Sequence, residues 1–135
     1  MIGILIISHG SLGDALIRAA SHVLGARPQA VSHLGVAVDD DPDAVLSRAR
    51  ALLAELDSGQ GVLVLSDIFG ATPGNIALRL LDHGRVAGVA GVNLPMLVRA
   101  LTYRNEPLAT VVDKALSGGR EGVVDVGTDR CNGKR

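Results

Sequence analysis

An apolar run, Ile2-Gly-Ile-Leu-Ile-Ile-Ser8, ends abruptly at His9 and passes into the small residues Gly10 and Ser11. An imidazole there lies at the carboxyl end of an expected buried strand, just ahead of an expected helix. Open α/β sheets gather their chemistry at that place. A second such run, Gly61-Val-Leu-Val-Leu-Ser66, stops at Asp67 and opens into Ile-Phe-Gly-Ala-Thr-Pro-Gly-Asn75. A carboxylate that accepts a hydrogen bond from one imidazole nitrogen fixes the tautomer and exposes the lone pair of the other. His9 and Asp67 therefore read as a nucleophile and its orienting group. No serine, threonine or cysteine is needed as the attacking atom.

Two helix starts fall beside these residues, one after Ser11 and one at Thr72-Pro73. Unpaired N–H groups and the positive end of the helix dipole favour an anion at such starts. The Thr72 hydroxyl adds a donor, and Gly10, Gly70 and Gly74 permit close approach of the backbone. A histidine nucleophile beside an anion cradle points to receipt and donation of a phosphoryl group. The chain contains neither Gly-x-x-x-x-Gly-Lys-Ser/Thr nor Gly-x-Gly-x-x-Gly, so these routes to ATP or a dinucleotide are closed. The phosphoryl group is expected from another phosphoprotein, with no cofactor and no metal.

The elements that must position these groups alternate between strand and helix, which implies βαβ units and a parallel sheet. The expected strands are Ile2–Ser8, Ala30–Val38, Gly61–Ser66 and Val86–Val92. Apolar residues Leu12, Leu16, Ala19, Ala20, Val23 and Leu24 recur at helical spacing, with Ser11 and Asp14 fitting a capping box and Gly25 a stop. Asp39-Asp-Asp-Pro42 reads as an N-cap with Pro42 at the first helical position, its carboxylates complementing the dipole rather than holding a metal. Further helices begin at Thr72, at Asn93-Leu-Pro95 and at Glu106-Pro107, the last closed by Gly118-Gly119. A short strand is expected at Gly122–Val126, and Thr128–Arg135 reads as a disordered polar tail. The expected fold is an open, doubly wound α/β sheet of four parallel strands in order 2-1-3-4, with helices on both faces. In that order the first and third strands are neighbours, so His9 and Asp67 face one crevice.

A chain of 135 residues is one domain's worth, and the 47% hydrophobic content must form an aliphatic core because Phe69 and Tyr103 are its aromatics. No stretch approaches the roughly 18–20 apolar residues that span a bilayer. The apolar start lacks a basic flank and a small-residue cleavage site, so no signal peptide is expected. A lone Cys131 forms no internal disulfide, which fits a cytoplasmic protein. The formal net charge is -1 and the only lysines are Lys114 and Lys134, against a nucleic-acid partner. Arg99 and Arg104 fall close together, as a solvated helix face or a pair read by a protein partner.

The opening Ile-Ile-Ser-His-Gly, the segment around Ser66-Asp-Ile-Phe-Gly-Ala-Thr-Pro-Gly-Asn75, Gly91-Val-Asn-Leu-Pro-Met-Leu97 and Gly119-Arg-Glu-Gly-Val123 carry a family resemblance. Over about residues 1–126, in order, the chain resembles the mannose-family enzyme IIA domain of the bacterial sugar phosphotransferase system. The resemblance implies that His9 is phosphorylated by the phosphocarrier HPr and that Asp67 is its hydrogen-bond partner. It implies that Thr72 contacts the phosphoryl group together with nearby Gly10, Ser11, Gly70 and Ala71. It further implies a terminal antiparallel strand, a homodimer in which that strand is either kept or exchanged between subunits, and a domain of residues 1–126 followed by a polar tail at 127–135. The family often has Gly-Gly-Ser-Pro or Gly-Gly-Thr-Pro where this chain has Gly70-Ala-Thr-Pro73, which puts a methyl into the loop. Transport members often continue through a linker into a IIB domain. Here the acceptor is open: a separate IIB protein, a regulatory target, or a dihydroxyacetone kinase that takes the phosphoryl group.

A rival class also opens with a strand ending in His-Gly-Ser: small tetrapyrrole chelatases, which use that histidine as a metal ligand. Their second ligand is a histidine past mid-chain. In this chain the second crevice segment carries Asp67, and His83 is expected at the opposite end of the sheet. His22 and His33 are expected away from the crevice. Asn93 and Pro95 follow the fourth strand at the crevice end and either rim the site or start a helix. Anion sensing without catalysis is a further alternative, which the presence of both His9 and Asp67 counts against.

Overall fold

Four aliphatic runs form the sheet: β1 (Gly3–His9), β2 (Val31–Val36), β3 (Val62–Ser66) and β4 (Val86–Ala90). They are all parallel, as the alternating pattern implies, and lie in the expected order β2-β1-β3-β4. Helices α1 (Leu12–Leu24), α2 (Pro42–Leu56), α3 (Thr72–Leu80), α4 (Leu94–Thr102), α5 (Leu108–Glu121) and α6 (Val126–Cys131) complete the order of elements. The computed structural model describes residues 1–131.

Strand β1 is covered on both faces, which is why Ile4, Leu5, Ile6 and Ile7 are all apolar and buried. Its side chains alternate, so Ile4 and Ile6 join Ile17, Ala20, Leu97, Val111 and Ala115 in one core layer. Leu5 and Ile7 join Val45, Ala49, Ile76 and Leu80 in the other. Each fully buried aliphatic side chain contributes about 1.5–3 kcal/mol, and the two layers together clamp the strand that carries His9.

The caps follow the sequence in part. Gly25 ends α1 in the left-handed region at φ 83. The Asp41 side chain accepts from the Asp43 N–H at the start of α2, with Pro42 as first helical residue. Ser11 occupies the N-cap position of α1 but makes no side-chain cap, so the expected capping box does not form. Asp14 instead pairs with Arg18 at 3.1 Å and with His33 Nε2 at 3.4 Å.

Three expectations are corrected at the carboxyl end. Gly118 and Gly119 do not close α5, which runs through them to Glu121. They permit close packing on α4: a Cβ on Gly118 would lie 2.8 Å from Arg99 Cβ, and one on Gly119 2.7 Å from Met96 Cε. The segment Gly122–Val126 forms no strand; residues 123–125 are irregular and Val126 begins α6. Backbone from Thr128 to Cys131 is helical rather than disordered, and the rest of the expected tail, 132–135, lies outside the described residues.

Arg99 and Arg104 do not form a shared basic face. Arg99 pairs with Glu121 at 2.8 Å. Arg104 is buried, and its guanidinium donates to the carbonyls of Ile2, Gln29 and Ala30, tying the foot of β1 to the connection between α4 and α5. Burial pushes its pKa down.

Gly118→Val tests the helix contact. Valine is the better helix former by a few tenths of a kcal/mol, but overpacking costs typically 1–3 kcal/mol, so the variant is expected to lose stability. Urea unfolding checks this; an unchanged or raised midpoint would show that α5 has room for the side chain.

Candidate functional site

His9 is the last residue of β1 and Asp67 follows the last residue of β3, two strands paired in register from Gly3↔Val62 to Ile7↔Ser66. The pairing brings the two residues together at the carboxyl edge of the sheet. Asp67 Oδ2 accepts from His9 twice, from the main-chain N–H at 2.9 Å and with the ring Nδ1 at 2.8 Å. Its second oxygen, Oδ1, accepts from the Ile68 N–H at 3.0 Å. The carboxylate is thus held by two backbone donors and one imidazole, and it holds the ring in return.

Accessibility divides the pair. The Asp67 side chain is 10% exposed and the His9 side chain 55% exposed. Burial alone raises the Asp67 carboxyl, but hydrogen bonds from the His9 main chain and ring, and that ring's charge, outweigh it and hold the group below the usual carboxylate range. The carboxylate stays ionised, so Nδ1 is the ring nitrogen that carries the proton. Nε2 then bears the free lone pair on the exposed side of the ring.

The loop after Asp67 sets the approach. Gly70 turns at φ 88, and Ala71 leads into α3 with extended backbone and no side-chain cap. Thr72 is the first residue of α3 and is exposed, so its hydroxyl and the first amides of the helix lie at the crevice end of the sheet. Gly74 sits close beneath the loop; a Cβ there would lie 2.8 Å from the Ile68 carbonyl oxygen. On the other side, Gly10 turns at φ 52 and its N–H is already committed to the Val36 carbonyl at 3.1 Å. Gly10 therefore lends open space rather than a donor. Ser11 is exposed beside it, with its hydroxyl unused in capping. Leu12, Ile68 and Phe69 stand exposed around the crevice, Phe69 at 74%.

Other candidate residues fall elsewhere. His22 is exposed on α1, His33 pairs with Asp14, and His83 lies in the turn before β4, at the opposite end of the sheet. Among the described residues, no three histidine, cysteine, aspartate or glutamate side chains gather as a metal site. Asn93 caps α4 by accepting from the Met96 N–H at 2.9 Å and donates to the Gly119 carbonyl at 3.1 Å. Pro95 stands in the first turn of the same helix. Sequence reasoning missed Ser8. Its hydroxyl is buried and accepts from the Gly13 N–H at 2.9 Å, doing for α1 what Ser11 does not. The signal was a polar residue in an otherwise aliphatic row.

Comparison with known proteins places this geometry. The model of the EIIA-man family, described as the PTS system fructose IIA component, matches residues 3–116. The PTS system mannose-specific EIIAB component of Escherichia coli K12 is 34% identical over 125 residues, which cover 90% of this chain and 38% of that protein. The chain thus spans well under half the length of that relative. The PTS system fructose-specific EIIA component of Bacillus subtilis is 29% identical over 105 residues, 77% of this chain and 71% of that one. The crystal structure of phosphotransferase system component EIIA from Streptococcus agalactiae superposes with a TM-score of 0.84 at 26% identity, covering 95% of this chain and 99% of that chain.

The depressed Asp67 pKa has a defined pH signature. Because the folded value lies below the unfolded one, the stabilisation is complete above about pH 4 and disappears as pH falls through the folded value. The melting-temperature gap between the parent protein and Asp67→Asn is expected to be widest at pH 7 and to close on acidification below about pH 4. A gap that stays constant from pH 7 to pH 3 would contradict the assignment.

Proposed function

Because the chain belongs to the EIIA-man family, we propose that it is a phosphohistidine carrier, accepting a phosphoryl group on His9 and passing it on. One observation carries the reading: Asp67 occupies Nδ1, so Nε2 is the nucleophile, on a ring that another protein can reach. The donor is phospho-HPr, and the exposed Leu12, Ile68 and Phe69 around the crevice form the apolar rim on which it seats. The acceptor is a IIB protein of a sugar transporter or a target that reads the phosphorylation state. The domain comprises residues 1–126 and acts in the cytoplasm; no described helix is long and apolar enough to cross a membrane.

The transfer is an in-line displacement. His9 Nε2 attacks the donor's phosphorus, the new N–P bond forms as the donor's N–P bond breaks, and that bond's electron pair returns to the donor's ring, which leaves as neutral imidazole. The proton on Nδ1 stays with His9 and is shared with Asp67, whose negative charge stabilises the ring as it becomes cationic. Thr72, with the amides of Gly70, Ala71 and Ser11, holds the phosphoryl oxygens. Gly10 keeps the approach open. Positioning and electrostatics supply most of the acceleration, as in other phosphoryl transfers.

The carrier acts as a homodimer. Strand β4 is an edge of the sheet; Val86 at its start exchanges backbone hydrogen bonds with Asp82, and the outward-facing groups beyond it have no partner among the described residues. Val123, Val124 and Val126 are exposed and have left the body of the domain behind α5. Pairing this segment with β4 of a second copy satisfies both and supplies the terminal strand that the single chain does not form.

Intact-mass analysis after incubation with phosphoenolpyruvate, enzyme I and HPr tests the carrier. The parent chain is expected to gain one acid-labile phosphate and His9→Ala none, while Asp67→Ala should fold and be phosphorylated roughly 100-fold more slowly. No gain in the parent with HPr fully phosphorylated would exclude this donor. For the dimer, sedimentation should give twice the chain mass, and loss of 123–135 should give a monomer; equal masses would remove the segment from the interface.

A further inference from the structure

Ser8 interrupts the row that Ile4 and Ile6 begin on the α1 face of β1, and it is fully buried. An aliphatic residue would extend that core layer without a polar group to satisfy. The hydroxyl reaches the Gly13 N–H at 2.9 Å, a bond between residues five apart that laces the turn His9-Gly10-Ser11-Leu12 from beneath. Gly13 suits this closure: a Cβ there would lie 3.0 Å from His33 Cβ, 3.2 Å from Ile6 Cγ2 and 3.3 Å from Ser8 Oγ.

The same turn is fixed from two other sides. Asp67 holds the His9 N–H, and Val36 holds the Gly10 N–H. Ser8 supplies the third tie, and it is the one out of contact with water. A hydrogen bond in so dry a place has no solvent competitor, so it resists opening more than the two at the rim. Ser11, at the N-cap position, makes no side-chain bond there, and among the described residues it is Ser8 whose side chain caps the first turn of α1.

We propose that Ser8 is a positioning residue for phosphoryl transfer, locking the turn that carries His9 so that Nδ1 stays on Asp67 and Nε2 stays aimed outward. The proposal rests on the carrier reading above. It goes beyond that reading in giving the serine preceding the nucleophile a role of its own, without contact to the phosphoryl group. A misplacement of the reacting ring by an ångström is enough to slow transfer by orders of magnitude.

The test compares the parent chain with Ser8→Ala and Ser8→Thr, using phospho-HPr and, separately, the small donor phosphoramidate. In Ser8→Ala the turnover rate should fall about tenfold or more with both donors while KM for phospho-HPr is unchanged, and Ser8→Thr should restore most of it. The His9 Nδ1 proton, followed by NMR, should exchange faster with water in Ser8→Ala than in the parent. A parent-like rate and proton exchange in a folded Ser8→Ala, even one with a lower melting temperature, would reduce Ser8 to a purely structural role. If Ser8→Ala does not fold, Ser8→Thr decides: parent-like kinetics support the hydroxyl, and slow transfer in a folded threonine variant overturns it. A parent chain that neither donor phosphorylates would overturn the carrier reading and this proposal together, an outcome distinct from a parent-like Ser8→Ala.

Discussion

One carboxylate oxygen makes two bonds to one residue: Asp67 Oδ2 takes both the main-chain N–H and the ring Nδ1 of His9. The main-chain bond fixes where the side chain begins, and the ring bond fixes how it is turned. Together they remove most of the freedom an exposed imidazole would otherwise have. An exposed histidine is free to rotate; here it is oriented without being buried. The pairing depends on β1 and β3 being neighbours in the sheet, so the strand order is itself a requirement of the site.

Exposure and order are ordinarily in conflict, and the rest of the architecture reconciles them. For the proposed transfer the ring must be reachable by another protein, so water cannot be excluded by closing over it. Rigidity comes from behind instead. Both faces of β1 are packed with aliphatic side chains, Ser8 ties the following turn down, and the main-chain bonds of Gly91 and Val92 to the Ser66 carbonyl brace the end of β3 beside Asp67. The Asp67 carboxyl is held below the usual range by the hydrogen bonds that use it. Its charge therefore persists wherever the chain is folded at neutral pH, and the tautomer persists with it.

Much of this was legible in the sequence because strands buried on both faces leave long aliphatic runs, and the residues that end them stand out. His9 and Asp67 are visible for that reason, and prolines mark the starts of α2, α3 and α4; the strand order came from the fold class, not from the runs themselves. What was misread turns on local signals with two physical meanings. Ser11 and Asp14 match a capping box, but Ser8 reaches the helix start first and Asp14 turns to Arg18 and His33. Gly118-Gly119 looks like a helix stop, yet α4 presses so closely on α5 that a Cβ on Gly118 would lie 2.8 Å from Arg99 Cβ. Arg104 looks like half of a charged face and is buried among three carbonyls, a partner set with no sequence signature. Residues 122–126 have the β-branched composition of a strand, but in the single chain they pair with no strand and Val126 begins α6.

The most direct test is to phosphorylate the protein carrying ¹⁵N-labelled histidine and to observe which His9 nitrogen couples to ³¹P. Phosphorus on Nε2, with the proton retained on Nδ1, is the result that follows from the Asp67 hydrogen bond. Phosphorus on Nδ1 would mean that the bond to Asp67 breaks before transfer, and that the interaction on which the site is built does not orient the nucleophile.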